Sequence, residues 1–268
     1  MYHGWPTLSL LQNGEMVLAW SGGREGHVCP FGQVHYMKSR DGGEHWCWPR
    51  VILDSGLDDR DAGVLETRNG TLLVTTFSSL AYEPIFRRAL ASGDWESKRI
   101  RRWTAAHNRL ESEARERELG QWMIRSEDDG KSWRWLSEIP ARDGDDPRNY
   151  HELHAVEMPD RRIVVHIRNH NPAHAQEILQ CESPDGGRSW TKPRSIGVWG
   201  LPSHLLGLSD GRVLMTYGYR RPPFGNQIRI SENGRKWSAP KTISDDGASV
   251  DLGYLSTVQL KDGTFVTV

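Results

Sequence analysis

Four arginines recur at a matching position along the sequence. Each follows an apolar segment and stands ten to fifteen residues before a serine that opens a repeated motif, Ser-x-Asp-x-Gly-x-x-Trp or a close variant. The four are Arg24, Arg168, Arg220 and Arg221. Guanidinium groups that converge from separate segments can hold a carboxylate through charge-assisted, bidentate hydrogen bonds. The spacing therefore predicts a carboxylate-binding site, although any one of these residues alone could be a solvated loop arginine.

Polar side chains, mostly acids and histidines, recur at a second position, at the start of the apolar segments that follow the motif. These are Asp58, Asp59, Arg60 and Asp61, then His151, Glu152 and His154, then His204, and last Asp251 and Tyr254. His27 lies three residues after Arg24. Carboxylates and imidazoles can donate or accept protons in catalysis. Arg60 and Asp61 can equally form a buried structural ion pair, so two interpretations of this segment stand.

The sequence also contains enough histidines to raise the question of a metal site. His170 and His174 have the spacing of zinc ligands on a helix, but they lie in a predicted loop without the required intervening glutamate. The three cysteines, Cys29, Cys47 and Cys181, match no metal-ligand spacing. We therefore expect no metal and no cofactor.

The repeated motif supplies the framework that must position these side chains. It occurs in full at residues 39–46, 126–133 and 183–190, and in a shorter form with Asn for Asp at 231–237. The Asp or Asn can bond nearby backbone amides, and Gly supplies the positive φ of a tight turn. The final Trp can pack the turn against its neighbour. This motif, the Asp box, therefore predicts four equivalent turns with a structural role.

A second repeat alternates with the Asp boxes. Apolar-alternating runs broken by a tight turn, typical of β-hairpins, span residues 8–20, 63–77, 155–167, 205–217 and 256–268. Each unit is then strand, turn, strand, loop, strand, Asp box, strand, which is the four-stranded antiparallel blade of an all-β propeller. Four blades are complete and a fifth ends after its second strand. We expect one domain over residues 1–268 that lacks a C-terminal part of the ring.

The order of the strands sorts the loops between the two faces of the propeller. Because antiparallel strands alternate in direction, the hairpin turns and the Asp boxes share one face. The loops after second strands, which carry the arginines, share the other face with the segments that enter first strands. Propeller ligands bind at a face near the axis, where the inner strands converge. The arginines, Glu152 and Tyr254 should therefore meet on the face opposite the Asp boxes.

The second predicted blade carries an insertion at residues 82–121. Residues 101–119 are rich in Glu, Arg and Ala, which predicts a solvated helix. Such an insertion could be a lid over the site or a plain surface addition.

The overall composition excludes several classes of function. Lys and Arg number 34 and Asp and Glu 35, so no net field attracts nucleic acid or an anionic membrane. No apolar run approaches the roughly 18 residues of a membrane-spanning helix. The first residues do not form a secretory signal, which slightly favours the cytoplasm without assigning a compartment. The sequence indicates no oligomeric state.

Taken together, the Asp boxes, the arginines in register and the pair Gly253-Tyr254 resemble the sialidase (neuraminidase) superfamily of six-bladed glycoside hydrolases. The resemblance implies an acidic sugar or glycan as substrate. It implies that Arg24, Arg168 and Arg220 hold the substrate carboxylate, with Arg221 as the alternative to the last. It also implies that Tyr254 attacks the anomeric carbon while Glu152 takes its proton. Arg60, His154 and His204 are expected to line the sugar pocket.

The sequence departs from this family at the acid that protonates the leaving group. The loop that begins at Arg24 holds Glu25 and His27 but not the family's aspartate. His27 or Asp61 could take that role. Two other hypotheses therefore remain: a non-catalytic propeller that binds glycan or protein, and a lyase or different glycosidase that uses histidines as acid and base.

Overall fold

Four antiparallel sheets of four strands follow one another along the chain, and a two-stranded sheet comes last. The computed structural model describes residues 2–260 and 262–268. Sheet by sheet, the strands are β1 (Tyr2–Leu10), β2 (Met16–Arg24), β3 (Gln33–Ser39) and β4 (Arg50–Leu53); β5 (Asp58–Glu66), β6 (Leu72–Ser79), β7 (Gly120–Ser126) and β8 (Arg134–Ile139); β9 (Tyr150–Glu157), β10 (Ile163–Asn169), β11 (Glu177–Ser183) and β12 (Arg194–Trp199); β13 (Ser203–Gly207), β14 (Val213–Tyr219), β15 (Gly225–Ser231) and β16 (Lys241–Ser244); and β17 (Thr257–Gln259) with β18 (Phe265–Thr267).

Strands in each sheet pair in sequence order, so every sheet is an antiparallel meander. The first strand of each sheet lies beside the first strand of the next: β1 beside β5, β5 beside β9, β9 beside β13, and β13 beside β17. First strands that adjoin around a common centre are the inner strands of propeller blades. The predicted all-β propeller is therefore confirmed, with four full blades and a fifth unit of two strands.

The hydrophobic core lies between the blades. One buried layer joins blades one and two through residues such as Val17 and Val74, and another joins blades two and three through Leu73 and Val165. A third, around Met215, joins blades three and four. Strands such as β6 are buried along nearly their whole length, because neighbouring blades cover both faces of the sheet. Burial of apolar surface, worth about 25 cal/mol per Å², therefore holds each blade to the next.

The Asp-box segments form the turns between the third and fourth strands of the four full blades. In the first, the Ser39 hydroxyl accepts from the Gly43 amide at 2.9 Å, and Asp41 Oδ1 accepts from the His45 amide at 2.9 Å. The amide and side chain of His45 and the Ser39 hydroxyl lower the pKa of Asp41 to about 2. Trp133, Trp190 and Trp237 each pack into the layer shared with the preceding blade. These turns therefore tie adjacent blades together.

The insertion differs from the single solvated helix predicted at residues 101–119. Between β6 and β7 lie three helices, α1 (Glu83–Ser92), α2 (Ser97–His107) and α3 (Ser112–Arg117). Gly93, at a left-handed φ of 72°, ends α1. The predicted helical character of the insertion is confirmed, but a single, fully solvated helix was wrong, because Trp103 of α2 is buried at 1% exposure in an apolar cluster with Phe86 of α1 and Cys29 of the first blade. The insertion therefore packs onto the propeller. Among the described residues, no helix is long and apolar enough to cross a membrane.

Candidate functional site

Irregular pairing in two inner strands turns polar side chains toward the centre of the propeller. In β5 the register shifts between Arg60 and Gly63, and Asp61 there has a φ of +46°. In β9 the register shifts around Glu152, because Arg168 of β10 pairs with His151 while the preceding residue of β10 pairs with Leu153. Bulges of this kind re-aim side chains and are frequent beside active sites. Asp61 and Glu152 lie inside β5 and β9, because these strands begin at Asp58 and Tyr150, whereas the sequence placed them at strand entrances.

Tyr254, Glu152 and Arg168 meet at this centre. The Tyr254 hydroxyl donates to Glu152 Oε1 at 3.1 Å and accepts from an Arg168 guanidinium nitrogen at 3.1 Å. Arg168 also donates to Glu152 Oε1 at 2.9 Å. Burial, together with the charge of Glu152, raises the pKa of Tyr254 above its ordinary value. The phenol therefore keeps its proton at neutral pH and has a carboxylate in contact that can remove it.

Asp61 is a buried carboxyl group that lacks hydrogen-bond donors. Its side chain is 4% exposed, and neither oxygen has a hydrogen-bond partner within the part of the chain that the structure describes. Arg60 Nε lies 3.7 Å from Asp61 Oδ2, an ion-pair distance but longer than a hydrogen bond. Burial and the nearby charge of Glu152 raise the pKa of Asp61 to about 8. Asp61 is therefore protonated at neutral pH and able to donate.

A cavity of about 230 Å³ connects these groups with the inner strands. Its polar and aromatic lining includes Trp5, Asp61, Glu152, His154, His204 and Tyr254. The rings of His154 and His204 lie 4.2 Å apart, and the Leu205 amide donates to His154 Nδ1 at 3.1 Å. Burial lowers the pKa of His204 to about 4 and that of His154 well below its usual value. Both imidazoles are therefore neutral and suited to hydrogen bonds with a sugar.

Arg24 lies next to this centre, but its guanidinium is already occupied. Its side chain is buried and forms an ion pair with Asp58 at 2.6 Å, with a second contact at 2.9 Å. The remaining donors reach the carbonyl oxygens of Gly26, His27 and Asp59 at 3.3, 2.7 and 3.4 Å. Burial opposes the charge on Arg24, but Asp58 outweighs it and raises the pKa of Arg24. The structure therefore does not bring a free Arg24 guanidinium into the cavity.

The two arginines predicted from the fourth blade point in different directions. Arg220 lies against Tyr254, with its guanidinium carbon 5.7 Å from the ring centre, and its Nε donates to the Leu252 carbonyl at 2.9 Å. Its buried terminal nitrogen Nη2 has no hydrogen-bond partner among the described residues. Arg221 is exposed and stacks on Trp199 at 3.8 Å. Of the two, Arg220 is placed to reach a ligand beside Tyr254.

His27 and Arg60 lie beside the cavity, where both contact the ring of Trp5. The His27 ring is exposed and meets Trp5 edge-on at 5.0 Å, while the Arg60 guanidinium lies 4.7 Å from the Trp5 ring centre. Partial burial and the charges of Arg60 and Arg24 lower the pKa of His27. His27 is therefore a poor proton donor at neutral pH, and Asp61 is the better placed acid.

Sequence reasoning missed two residues of this site. Trp5 lines the cavity and has a φ of 53°, unusual for an aromatic residue. The pair Trp5-Pro6, inside an otherwise alternating strand, was a signal of irregular backbone. His170 was considered only as a metal ligand. Its Nε2 accepts from Arg168 Nε at 2.7 Å, so it orients the arginine that holds Tyr254.

The described residues include one group with the geometry of a metal site, formed by Asp41, Glu44 and His45. All three are exposed and lie in the first Asp box. Asp41 already accepts from Ser39 and His45. This group lies on the face opposite Tyr254 and takes no part in the site described above.

Comparison with known protein families gives one match along almost the whole chain. The model of the BNR repeat-like domain matches residues 3–267. The chain belongs to this family. Its propeller therefore stands within the sialidase and BNR superfamily that the Asp boxes suggested. No curated protein matches the sequence.

Solved structures show the same fold at low sequence identity. The GH93 α-L-arabinofuranosidase of Fusarium graminearum, in complex with arabinobiose, superposes with a TM-score of 0.67 at 16% identity, over 99% of this chain and 74% of that one. The NanB sialidase from Streptococcus pneumoniae gives 0.65 at 13% identity, over 99% of this chain and 56% of that one. A protein of unknown function from Dyadobacter fermentans gives 0.53 at 20% identity, over 96% and 87%. This chain thus spans about half the length of the sialidase.

Proposed function

We propose that this propeller is a retaining, exo-acting glycoside hydrolase of the sialidase type, with Tyr254 as nucleophile. The observation that carries the proposal is the position of the Tyr254 hydroxyl, between Arg168 and Glu152 at 3.1 Å from each. A phenol with a raised pKa attacks only if a base removes its proton, and Glu152 is in hydrogen-bond contact with it. The superposed structures include a sialidase and an arabinofuranosidase, which supports sugar chemistry on this scaffold.

The first chemical step uses Tyr254, Glu152 and Asp61. The Tyr254 oxygen bonds to the anomeric carbon as its proton passes to Glu152. The glycosidic bond breaks at the same carbon, and the leaving oxygen takes the proton of Asp61. The two acids thus exchange roles: Asp61 becomes the carboxylate and Glu152 the neutral acid.

The second step releases the sugar and restores the protein. Asp61, now a carboxylate, removes a proton from water, and the water oxygen bonds to the anomeric carbon. The bond from the sugar to Tyr254 breaks, and the tyrosine oxygen recovers its proton from Glu152. Net retention at the anomeric carbon follows, because that carbon is attacked twice.

We propose an acidic sugar, such as sialic acid, as the substrate. Arg168 and Arg220 approach Tyr254 from two blades, and Arg220 has a nitrogen without a protein partner among the described residues. Two guanidinium groups can bind one carboxylate by charge-assisted hydrogen bonds. A neutral phenol suits such a substrate, since a carboxylate nucleophile would be repelled by the negative charge.

The test is the turnover of 4-methylumbelliferyl N-acetylneuraminide by the wild type and by Tyr254→Phe. We expect the variant to fold normally and to lose turnover by several orders of magnitude, because it lacks the oxygen that forms the covalent bond. Tyr219→Phe is the matched control, since Tyr219 contacts Trp199 rather than the Tyr254 centre. Unaltered turnover by Tyr254→Phe would overturn the proposed nucleophile.

A second candidate is a glycosidase that acts on a neutral sugar and uses Asp61 and Glu152 directly as its carboxylate pair. The observation in its favour is that Asp58 already occupies Arg24, which leaves two of the predicted arginines near the site. Turnover of 4-nitrophenyl α-L-arabinofuranoside, in the absence of turnover of the sialoside, would select this alternative.

A further inference from the structure

A second cavity of about 430 Å³ lies on the same face as Tyr254, between the helical insertion and the second and third blades. Its floor is formed by the ends of β6 and the start of β9, with Phe77, Ser79 and His151. Its rim comes from the insertion and the turn before β9, with Arg87 and Arg148 among the rim residues. We call this cavity the insertion groove. It shares no lining residue with the cavity at Tyr254.

Two side chains of the groove lining, His151 and Phe77, contact residues beside the catalytic centre. The His151 ring lies 5.0 Å from His170, which accepts the hydrogen bond from Arg168. The Phe77 ring lies 5.4 Å from the His151 ring. The centre of the Phe77 ring also lies 5.9 Å from the guanidinium carbon of Arg60. Arg60 therefore stands between the groove and Asp61, and His170 with Arg168 stands between the groove and Tyr254.

The position of the acid indicates which part of a substrate faces the groove. A general acid must reach the glycosidic oxygen, so the leaving group departs on its side. Asp61 follows Arg60, and Arg60 pairs across the sheet with Phe77, which forms the groove floor. Asp61 itself lines the cavity at Tyr254, and its neighbour Arg60 contacts Phe77 on the groove floor, so the groove lies beside the acid on the side of the insertion.

The charges of the rim indicate the chemistry of the occupant. Arg87 contacts Glu83 at 3.0 Å, and Arg148 contacts Glu116, so each arginine of the rim is balanced by an acid. A balanced rim offers no net attraction to a phosphate, a nucleic acid or an acidic peptide. Hydroxyls, paired charges and aromatic edges together suit the hydroxyl and C–H groups of a neutral sugar.

From these observations we propose that the insertion groove binds neutral sugar units of the leaving group, so that the protein prefers oligosaccharides to short glycosides. This inference rests on the proposed glycosidase function. The insertion supplies the groove and is, in this view, a specificity element rather than a lid.

The test compares two substrates that share the sugar cleaved and differ in the leaving group. 4-Methylumbelliferyl N-acetylneuraminide has a small aryl group, whereas 3′-sialyllactose has a neutral disaccharide. Ala81→Trp places a large ring in the groove, because Ala81 is exposed and lines it. We expect Ala81→Trp to lower kcat/KM for 3′-sialyllactose about tenfold, a typical loss for contacts worth about 1.4 kcal/mol, and to leave the aryl substrate unchanged.

Arg88→Trp is the matched control, since Arg88 is exposed on α1 and outside the groove lining. It should change neither substrate. Equal effects of Ala81→Trp on both substrates, or no effect on 3′-sialyllactose, would overturn the proposal.

A binding measurement separates this inference from the function on which it rests. Lactose alone, titrated to tens of millimolar and observed by protein NMR, should shift groove signals in the wild type and not in Ala81→Trp. If neither sialoside is cleaved yet lactose binds in this manner, the catalytic proposal fails and the groove stands. If sialosides are cleaved and lactose shifts the signals of both proteins equally, or of neither, the groove proposal fails.

Discussion

Arg24 ends the second strand of the first blade and Arg220 directly follows that of the fourth, yet their surroundings are opposite. At the junction of blades one and two, Arg24 is 1% exposed and every donor group of its guanidinium meets an oxygen of the protein. Near blade five, Arg220 donates a hydrogen bond from Nε to a backbone carbonyl, and its Nη2 has no partner among the described residues. The guanidinium of Arg24 is fully occupied by protein partners, whereas that of Arg220 still has a nitrogen that can bind a ligand.

The difference arises from the neighbouring blade rather than from the arginine's own blade. Blade two begins with Asp58, whose side chain is fully buried against Arg24. Blade five brings Tyr254 and the carbonyl of Leu252 to Arg220, which forms no ion pair within the described part of the chain. Arginines at equivalent positions of the repeat therefore extend toward the same face of the propeller. The residue that the neighbouring blade supplies as a partner decides whether such a side chain supports the fold or binds a ligand.

The largest expected effect is the loss of stability when the buried ion pair between Arg24 and Asp58 is broken. Arg24→Met should destabilise the protein by about 3–5 kcal/mol, because it leaves the Asp58 carboxylate buried without its partner. Urea unfolding followed by tryptophan fluorescence measures this loss. Arg220→Met should cost far less stability, since no acid of the described residues is paired with Arg220. The double variant Arg24→Met/Asp58→Leu should regain much of the loss, and a double variant as unstable as Arg24→Met alone would contradict this account.

Asp61 extends the comparison to acids, because it is buried like Asp58 but no cation among the described residues donates a hydrogen bond to it. Asp61→Asn should reduce the turnover of substrates with poor leaving groups by about 10²–10⁴-fold, the usual contribution of a general acid. Turnover by the wild type should fall as the pH rises through about 8, where Asp61 loses its proton. His27→Gln should leave this alkaline limb in place; loss of the limb in His27→Gln would assign the acid to His27 instead.

The same pKa has a consequence for stability. The folded protein holds the Asp61 proton up to about pH 8, whereas the unfolded chain releases it near 3.8. The folded state therefore binds more protons between these values, and the contribution of Asp61 to stability declines as the pH rises from about 4 to 8. In Asp61→Asn this part of the decline should disappear, which unfolding curves across that pH range would reveal.

Substitution of Arg220 should have an effect on activity of intermediate size. Arg220→Met should lower kcat/KM for an acidic glycoside about 10–100-fold, because one charge-assisted hydrogen bond is worth about 1.5–3 kcal/mol. A neutral glycoside should show little change. Equal losses on acidic and neutral substrates would indicate that Arg220 only supports Tyr254 through the ring contact.

The sequence was sufficient to predict the propeller, because the Asp boxes and hairpins repeat and each repeat implies one blade. The fine geometry of the site was not predictable in the same way. Asp61 and Glu152 face the centre because of bulges in β5 and β9, and a bulge depends on pairing with the neighbouring strand. The pairing of Arg24 with Asp58 joins residues of different blades. Such contacts join residues that are far apart in the sequence, so a local sequence pattern does not predict them.

The smallest effect is expected at Arg221, which is adjacent to Arg220 in sequence but directed elsewhere. Its guanidinium stacks on Trp199 at 3.8 Å and is exposed, so its charge is screened by solvent. Arg221→Met should therefore change kcat/KM for an acidic glycoside less than about twofold and stability by less than about 1 kcal/mol, the upper range for an exposed cation on an aromatic ring. Parallel kinetics of Arg220→Met and Arg221→Met would measure the contrast between adjacent residues. If Arg221→Met lost as much activity as Arg220→Met, Arg221 would have to leave Trp199 when substrate binds, and the open position beside Tyr254 would belong to both arginines.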